Sequence, residues 1–208
     1  MAVEARSFLS GDGQTMVLCP LKCGFSTFNH HLIKPGLARN GDLAGLDPLR
    51  TRVIFMTRDP VSRFLAFYKN WVVDKGLGDP RPPVRFMHDW LPPDYLQRLD
   101  GLTPAEKARP DEILTFLRNA GPAILNEGHM APQWAFLYRA GLRENSPVTF
   151  VDYRQGLNVI RHVFGVEAAV RNVSGSGTLD ITPAILAALD LFYWRDRALT
   201  RQAAASFP

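Results

Sequence analysis

A chain of 208 residues with 46% apolar composition can bury one sizeable core, and a single domain over 1–208 is expected. The net charge of +4 comes from scattered lysines and arginines, which suits an anionic ligand and argues against a nucleic-acid-binding arm. No apolar run approaches the roughly 18 residues of a membrane span, Met1 to Gly13 lacks the pattern of a signal peptide, and Cys19 and Cys23 are too few for a four-cysteine zinc site. Both cysteines therefore read as reduced thiols of a cytoplasmic protein; a metal site completed by His30 and His31 is the weaker alternative.

The first regular element is the apolar run Met16 to Leu18, a buried strand. Pro20 and Gly24 break it, Lys22 lies in the turn, and Ser26 and Thr27 stand where a helix begins. A helix start offers backbone N–H groups without intrahelical partners and the positive end of the dipole, so this turn suits an anion, most often a phosphate. Lys22 adds a mobile point charge. The order of residues is not that of a Walker A loop, because the lysine precedes the glycine. An ordinary strand-to-helix turn with a solvated lysine accounts for the same residues.

The helix from Ser26 to Ala38 turns Phe28, Leu32 and Ile33 inward, carries His30 and His31, and is cut short by Pro35 and Gly36. Asn40 to Leu49 reads as a loop. Arg52 to Thr57 is a nearly continuous apolar strand, as expected where both sheet faces are covered. Asp59 and Pro60 then form a cap and first helical residue, and the helix from Pro60 to about Asp74 buries Val61, Phe64, Leu65, Tyr68, Trp71 and Val72. Arg58 stands at the carboxyl end of a strand, where open α/β sheets bind ligands; a surface ion pair with Asp59 or Asp74 is its alternative role.

Prolines between Lys75 and Pro110 are expected to exclude long regular elements, leaving an excursion whose His88, Trp90 and Tyr95 either face an acceptor or pack onto the body. A helix is expected from Asp111 to Asn119. In Asn126 to Trp134, His129 has the chemistry of a general base. Glu127, His30 and His31 compete for that role, and His129 and Gln133 can instead simply tie a loop to the sheet. Pro147 to Val151 is a strand, Asp152 caps the helix that runs on to Phe164, and Leu157, Ile160 and Val163 point inward. Arg171 to Thr178 is a glycine-rich loop. Thr182 and Pro183 open a last helix whose apolar face is Ile185, Leu189, Phe192 and Tyr193. Strand, helix, strand, helix in this order indicates an α/β fold with parallel strands.

Five segments, in order over about residues 16–196, resemble the PAPS-dependent sulfotransferases of the carbohydrate type. Lys22-x-Gly24-x-Ser26-Thr27 resembles their 5′-phosphosulfate loop, with Leu21 where the family usually has proline. Arg58, Asp59, Pro60, Arg63 and Tyr68 resemble the 3′-phosphate segment; Ala66 stands at the family's serine, and Ser62, one turn earlier on the same helix face, is the candidate replacement. His129-x-x-Pro132-Gln133 resembles an element of the chondroitin and dermatan 4-O-sulfotransferases and of related bacterial proteins. Asn172-x-Ser174 and Tyr193-x-x-Asp196 resemble the nucleotide-closing loop and the structural last helix.

The resemblance implies a P-loop NTPase-like three-layer α/β/α fold with a central parallel sheet. It implies a soluble, cytoplasmic, bacterial enzyme that moves a sulfuryl group from PAPS to a hydroxyl acceptor of the carbohydrate class, leaving PAP and requiring no metal. Lys22, Cys23, Gly24, Phe25, Ser26 and Thr27 would hold the phosphosulfate. Arg58 and Ser62, with Asn172, Ser174 and Arg171, would hold the 3′-phosphate. Lys22 and His129 would be catalytic. The alternatives are a nucleotide kinase using ATP and Mg²⁺, and a non-catalytic module that kept the anion pocket.

Overall fold

The computed structural model describes residues 6–40, 50–79, 87–143, 146–169 and 179–203. The chain groups into two compact units, each assembled from separated stretches: Ala2–Asp59, Pro132–Val173 and Arg195–Pro208 form a sheet unit, and Pro60–Ala131 with Ser174–Trp194 form a helical unit.

In the sheet unit the strands are β1 (Arg6–Leu9), β2 (Thr15–Cys19), β3 (Arg39–Asn40), β4 (Arg52–Thr57) and β5 (Val148–Asp152). They lie in the order β3-β1-β2-β4-β5. β2, β4 and β5 are mutually parallel, with Leu18 opposite Phe55 and Phe55 opposite Phe150, whereas β1 runs antiparallel to both of its neighbours. This is an α/β fold with a mostly parallel core, compatible with three layers. All three strands expected from apolar runs are present. β1 and β3 are not among the strands expected from the apolar runs. A signal for β1 was present: Gly11-Asp12-Gly13 is hairpin chemistry, and the turn closes with the Ser10 N–H donating to the Thr15 carbonyl at 2.9 Å and Gly13 at φ 74°.

Side chains alternate across the sheet. Val17, Cys19, Ile54, Met56 and Val151 face one side and form a core with Phe28 and Leu32 and with Val159 and Ile160. Phe28 ends the short helix α1 (Phe25–Phe28), and Leu32 belongs to the π-helical turn Asn29–Ile33 that continues it. Met16, Leu18, Val53 and Phe55, on the alternate positions, are just as buried. Burial of both faces is why β2 and β4 read as continuous apolar runs. The 3-10 turn Tyr153–Gln155 follows β5 and leads into the next long helix, Gly156–Phe164. That helix starts with glycine for a steric reason: a Cβ on Gly156 would sit 3.3 Å from the Phe28 ring.

The helical unit begins with α2 (Pro60–Tyr68), which continues as π-helical turns over Lys69–Asp74 and so fills the whole span expected of it. Between Lys75 and Pro110 the expectation of irregular chain fails. Helices α3 (Pro93–Asp100) and α4 (Pro104–Lys107) each start at a proline, where the missing N–H costs nothing and the fixed φ is already helical. Thr103 completes α4's capping box, with its N–H donating to Glu106 at 2.8 Å and its hydroxyl accepting from the Glu106 N–H at 3.3 Å. Tyr95, Leu96 and Leu99 are core residues, so Tyr95 packs rather than facing an acceptor. The helix α5 (Pro110–Ala120) runs into a 3-10 turn, Gly121–Asn126.

A polar knot ties α3 to α5: the buried Tyr95 Oη and the exposed Arg98 Nη2 both donate to the buried Glu112 Oε1, at 2.8 and 2.7 Å. Burial, then the hydrogen bond and charge of Glu112, hold the Tyr95 phenol protonated far above its usual range. Burial does the same to Tyr68, which donates to the Lys107 carbonyl at 2.9 Å.

Three further helices lie among the described residues. The helix α6 (Gln133–Arg139) belongs to the sheet unit, α7 is the Gly156–Phe164 helix, and α8 (Pro183–Gln202) is the last. Thr182 caps α8 as expected, its hydroxyl accepting from the Ile185 N–H at 3.4 Å. No helix among the described residues is long and apolar enough to cross a membrane.

Candidate functional site

β2 and β4 are parallel neighbours, so the segments after Cys19 and after Thr57 leave the sheet at the same edge. The structure brings Lys22 and Arg58 together there. Arg58 Nη1 donates to the Lys22 carbonyl at 3.0 Å. The Arg58 guanidinium also lies over the Tyr153 ring, 4.6 Å from its centroid, a contact that restrains its plane.

Lys22 has φ 68° and is the one non-glycine residue with positive φ among those described. A side chain in the left-handed region costs energy unless its surroundings require it. Gly24, at φ 93°, caps α1 without such a cost. The Thr27 and Phe28 N–H groups donate back to the Gly24 carbonyl. Among the described residues, the N–H groups of Gly24, Phe25 and Ser26 have no protein acceptor. Three consecutive main-chain donors, a lysine and an arginine therefore share one corner, the composition of an anion-binding loop.

Gln133 holds that corner in register, the tie between loop and sheet that was the alternative role open to it. Its fully buried side chain pairs with both main-chain groups of Arg58: Oε1 accepts from the Arg58 N–H at 2.8 Å, and Nε2 donates to the Arg58 carbonyl at 2.7 Å. Oε1 also faces the Cys23 thiol at 3.5 Å. Asp196, fully buried, accepts from the Gln133 N–H at 2.7 Å and the Trp134 N–H at 3.0 Å, and so caps α6. The structural role expected of the Tyr193-x-x-Asp196 element holds. Cys19 and Cys23 are buried free thiols, and Cys19 Sγ donates to the Cys23 carbonyl at 3.1 Å.

Asp152, at the end of β5, accepts from the Arg154 N–H and side chain at 2.8 Å, as expected of a cap. Partial burial pushes its carboxyl upward most strongly, but the Arg154 hydrogen bonds together with the charges of Arg154 and Arg58 prevail and leave it below the usual range.

In the helical unit His129 is gripped just as firmly. Its Nδ1 lies 2.9 Å from Glu127 Oε1, while Glu127 Oε2 accepts from the His129 and Met130 N–H groups at 2.7 and 3.1 Å. The ring sits against Phe67 and Trp71, with centroids 6.1 and 5.9 Å away. Arg63 is 1% exposed and donates to the carbonyls of Ala131 at 2.6 Å and Gly128 at 3.3 Å. It holds the His129 loop from within. Tyr193 Oη donates to the Met130 carbonyl at 2.6 Å.

Ser62 is half-buried in the first turn of α2. His30 and His31 lie edge to face on the π-helical turn, and His31 Nε2 meets the Ala169 carbonyl at 2.9 Å. Arg171, Asn172 and Ser174 lie outside the described residues. Among the described residues no group of three or more histidine, cysteine and acidic side chains could hold a metal. Comparison with protein-family models, curated proteins and solved structures gives no match.

Proposed function

We propose that the protein is a sulfotransferase on a P-loop NTPase-like α/β/α fold, moving a sulfuryl group from PAPS to a hydroxyl acceptor, best read as a carbohydrate, in the bacterial cytoplasm. The observation that carries this reading is the convergence of Lys22 and Arg58 at the ends of adjacent parallel strands, joined by the 3.0 Å hydrogen bond. It supports a ligand with two separate anionic groups, as PAPS has. The donor supplies an activated sulfuryl group with a phosphate as its leaving group.

The chain's own residues bind and orient. Lys22 and the N–H groups of Gly24, Phe25 and Ser26 hold the phosphosulfate and offset charge that builds on the leaving phosphate, with Cys23 and Thr27 completing the loop. Arg58 and Ser62, with Asn172 and Ser174, hold the 3′-phosphate. His129 takes the proton of the acceptor hydroxyl. As in phosphoryl transfer, positioning and electrostatics account for most of the catalysis.

Two measurements test the proposal. Calorimetry with PAP and with ATP plus Mg²⁺ is expected to show the tighter binding for PAP; preference for Mg-ATP would make the protein a nucleotide kinase instead. A labelled-sulfate screen over glycans and small hydroxyl compounds is expected to yield a sulfated product. PAP binding with no transfer to any acceptor would leave a nucleotide-binding module.

A further inference from the structure

Within the helical unit, one side chain stands in an arrangement that anion binding does not explain. The Glu127 side chain is 1% exposed, and both of its oxygens are engaged. Oε2 accepts from two main-chain N–H groups, and Oε1 faces His129 Nδ1 at 2.9 Å. With the carboxylate accepting at both oxygens, Nδ1 must donate. In the neutral ring the lone pair then lies on Nε2. Nε2 makes no hydrogen bond to any described residue, and the His129 side chain is 15% exposed. Phe67 and Trp71 limit rotation of the ring, and Arg63 pins the main chain on either side of it through Gly128 and Ala131.

We infer that Glu127 is a positioning residue: it fixes the His129 tautomer and so makes Nε2 the proton acceptor, without itself taking a proton from the acceptor. The inference rests on the sulfotransferase reading for the identity of the reaction, and it assigns the base within it. The acceptor oxygen bonds to sulfur as the sulfur–oxygen bond to the donor's phosphate breaks. The leaving electron pair stays on that phosphate, the hydroxyl proton passes to Nε2, and nothing is oxidised or reduced. A ring with the opposite tautomer would present an N–H to the hydroxyl and could not accept its proton.

Glu127→Gln tests this without removing the loop's supports. The amide oxygen can still accept from the His129 and Met130 N–H groups, while its NH₂ then faces Nδ1 and forces that nitrogen to accept. ¹⁵N spectra of the ring at alkaline pH are expected to show Nδ1–H in the wild type and Nε2–H in Glu127→Gln, with the melting temperature nearly unchanged. Sulfuryl transfer is expected to lose about 100- to 10,000-fold in kcat with little change in KM for PAPS. A wild-type ring protonated at Nε2, or a Glu127→Gln protein that keeps the wild-type tautomer or the wild-type turnover, overturns the inference. If Glu127→Gln fails to fold, the wild-type spectrum alone decides the tautomer. A wild type with Nδ1–H that transfers sulfate to nothing would sink the sulfotransferase reading and leave the tautomer assignment standing.

Discussion

The Lys22 corner and the His129 loop solve the same problem, holding a functional side chain still, by different physics. At the corner, position comes from the main chain. Two residues in the left-handed region, three N–H groups and a neutral amide clasping Arg58 define the geometry. At the His129 loop, position comes from buried charge: Glu127 grips the ring and its main chain, and Arg63 grips two carbonyls. Main-chain geometry at a strand end is inexpensive to keep, because the sheet already sets it. Buried charges must be fully hydrogen-bonded or they destabilise the fold. Substitution of Lys22 at the corner should therefore cost function, and removal of the buried Arg63 cation from the loop should cost stability.

The largest effect is expected from Lys22→Ala. Transfer should fall by about a thousandfold or more, while the urea midpoint stays close to wild type; near-normal turnover would remove Lys22 from the chemistry. Arg63→Met should behave in the opposite way. It leaves the Gly128 and Ala131 carbonyls buried without their charged donor and should cost about 3 kcal/mol in urea unfolding. An unchanged stability would mean that the loop does not depend on that cation. Gln133→Leu tests whether the corner has any stability component. Loss of both Arg58 main-chain partners should cost about 2–4 kcal/mol and also weaken PAP binding by calorimetry. The smallest effect is expected from Ser62→Ala, a drop of about three- to tenfold in PAP affinity with the fold unchanged. No change in affinity would show that Ser62 does not replace the serine absent at Ala66.

The helix from Pro60 was legible because Asp59-Pro60 and the spacing of Val61, Phe64, Tyr68 and Trp71 are local signals. The short hairpin strand β1 left only a turn motif, and the helices α3 and α4 were hidden by prolines that mark helix starts as readily as they break helices. Of the candidate site, the residue types Lys22, Arg58 and His129 could be read in advance, because charge and titration chemistry belong to single residues. That Gln133 could tie a loop to the sheet was legible too, but its partner Arg58, 75 positions away, was not.

Nor does a chain of letters say what a charged residue touches. Arg58 and Arg63 stand five positions apart in one motif-like segment, yet the first reaches the Lys22 carbonyl and the second is buried in its own helical unit. By itself the sequence determined where strands and helices could form, since periodicity and caps are short-range. Only the tertiary structure decided that Lys22 and Arg58 meet, that Glu127 turns to His129 Nδ1, and that Asp196 caps α6. Those outcomes depend on strand order, register and burial, which arise when distant segments pack.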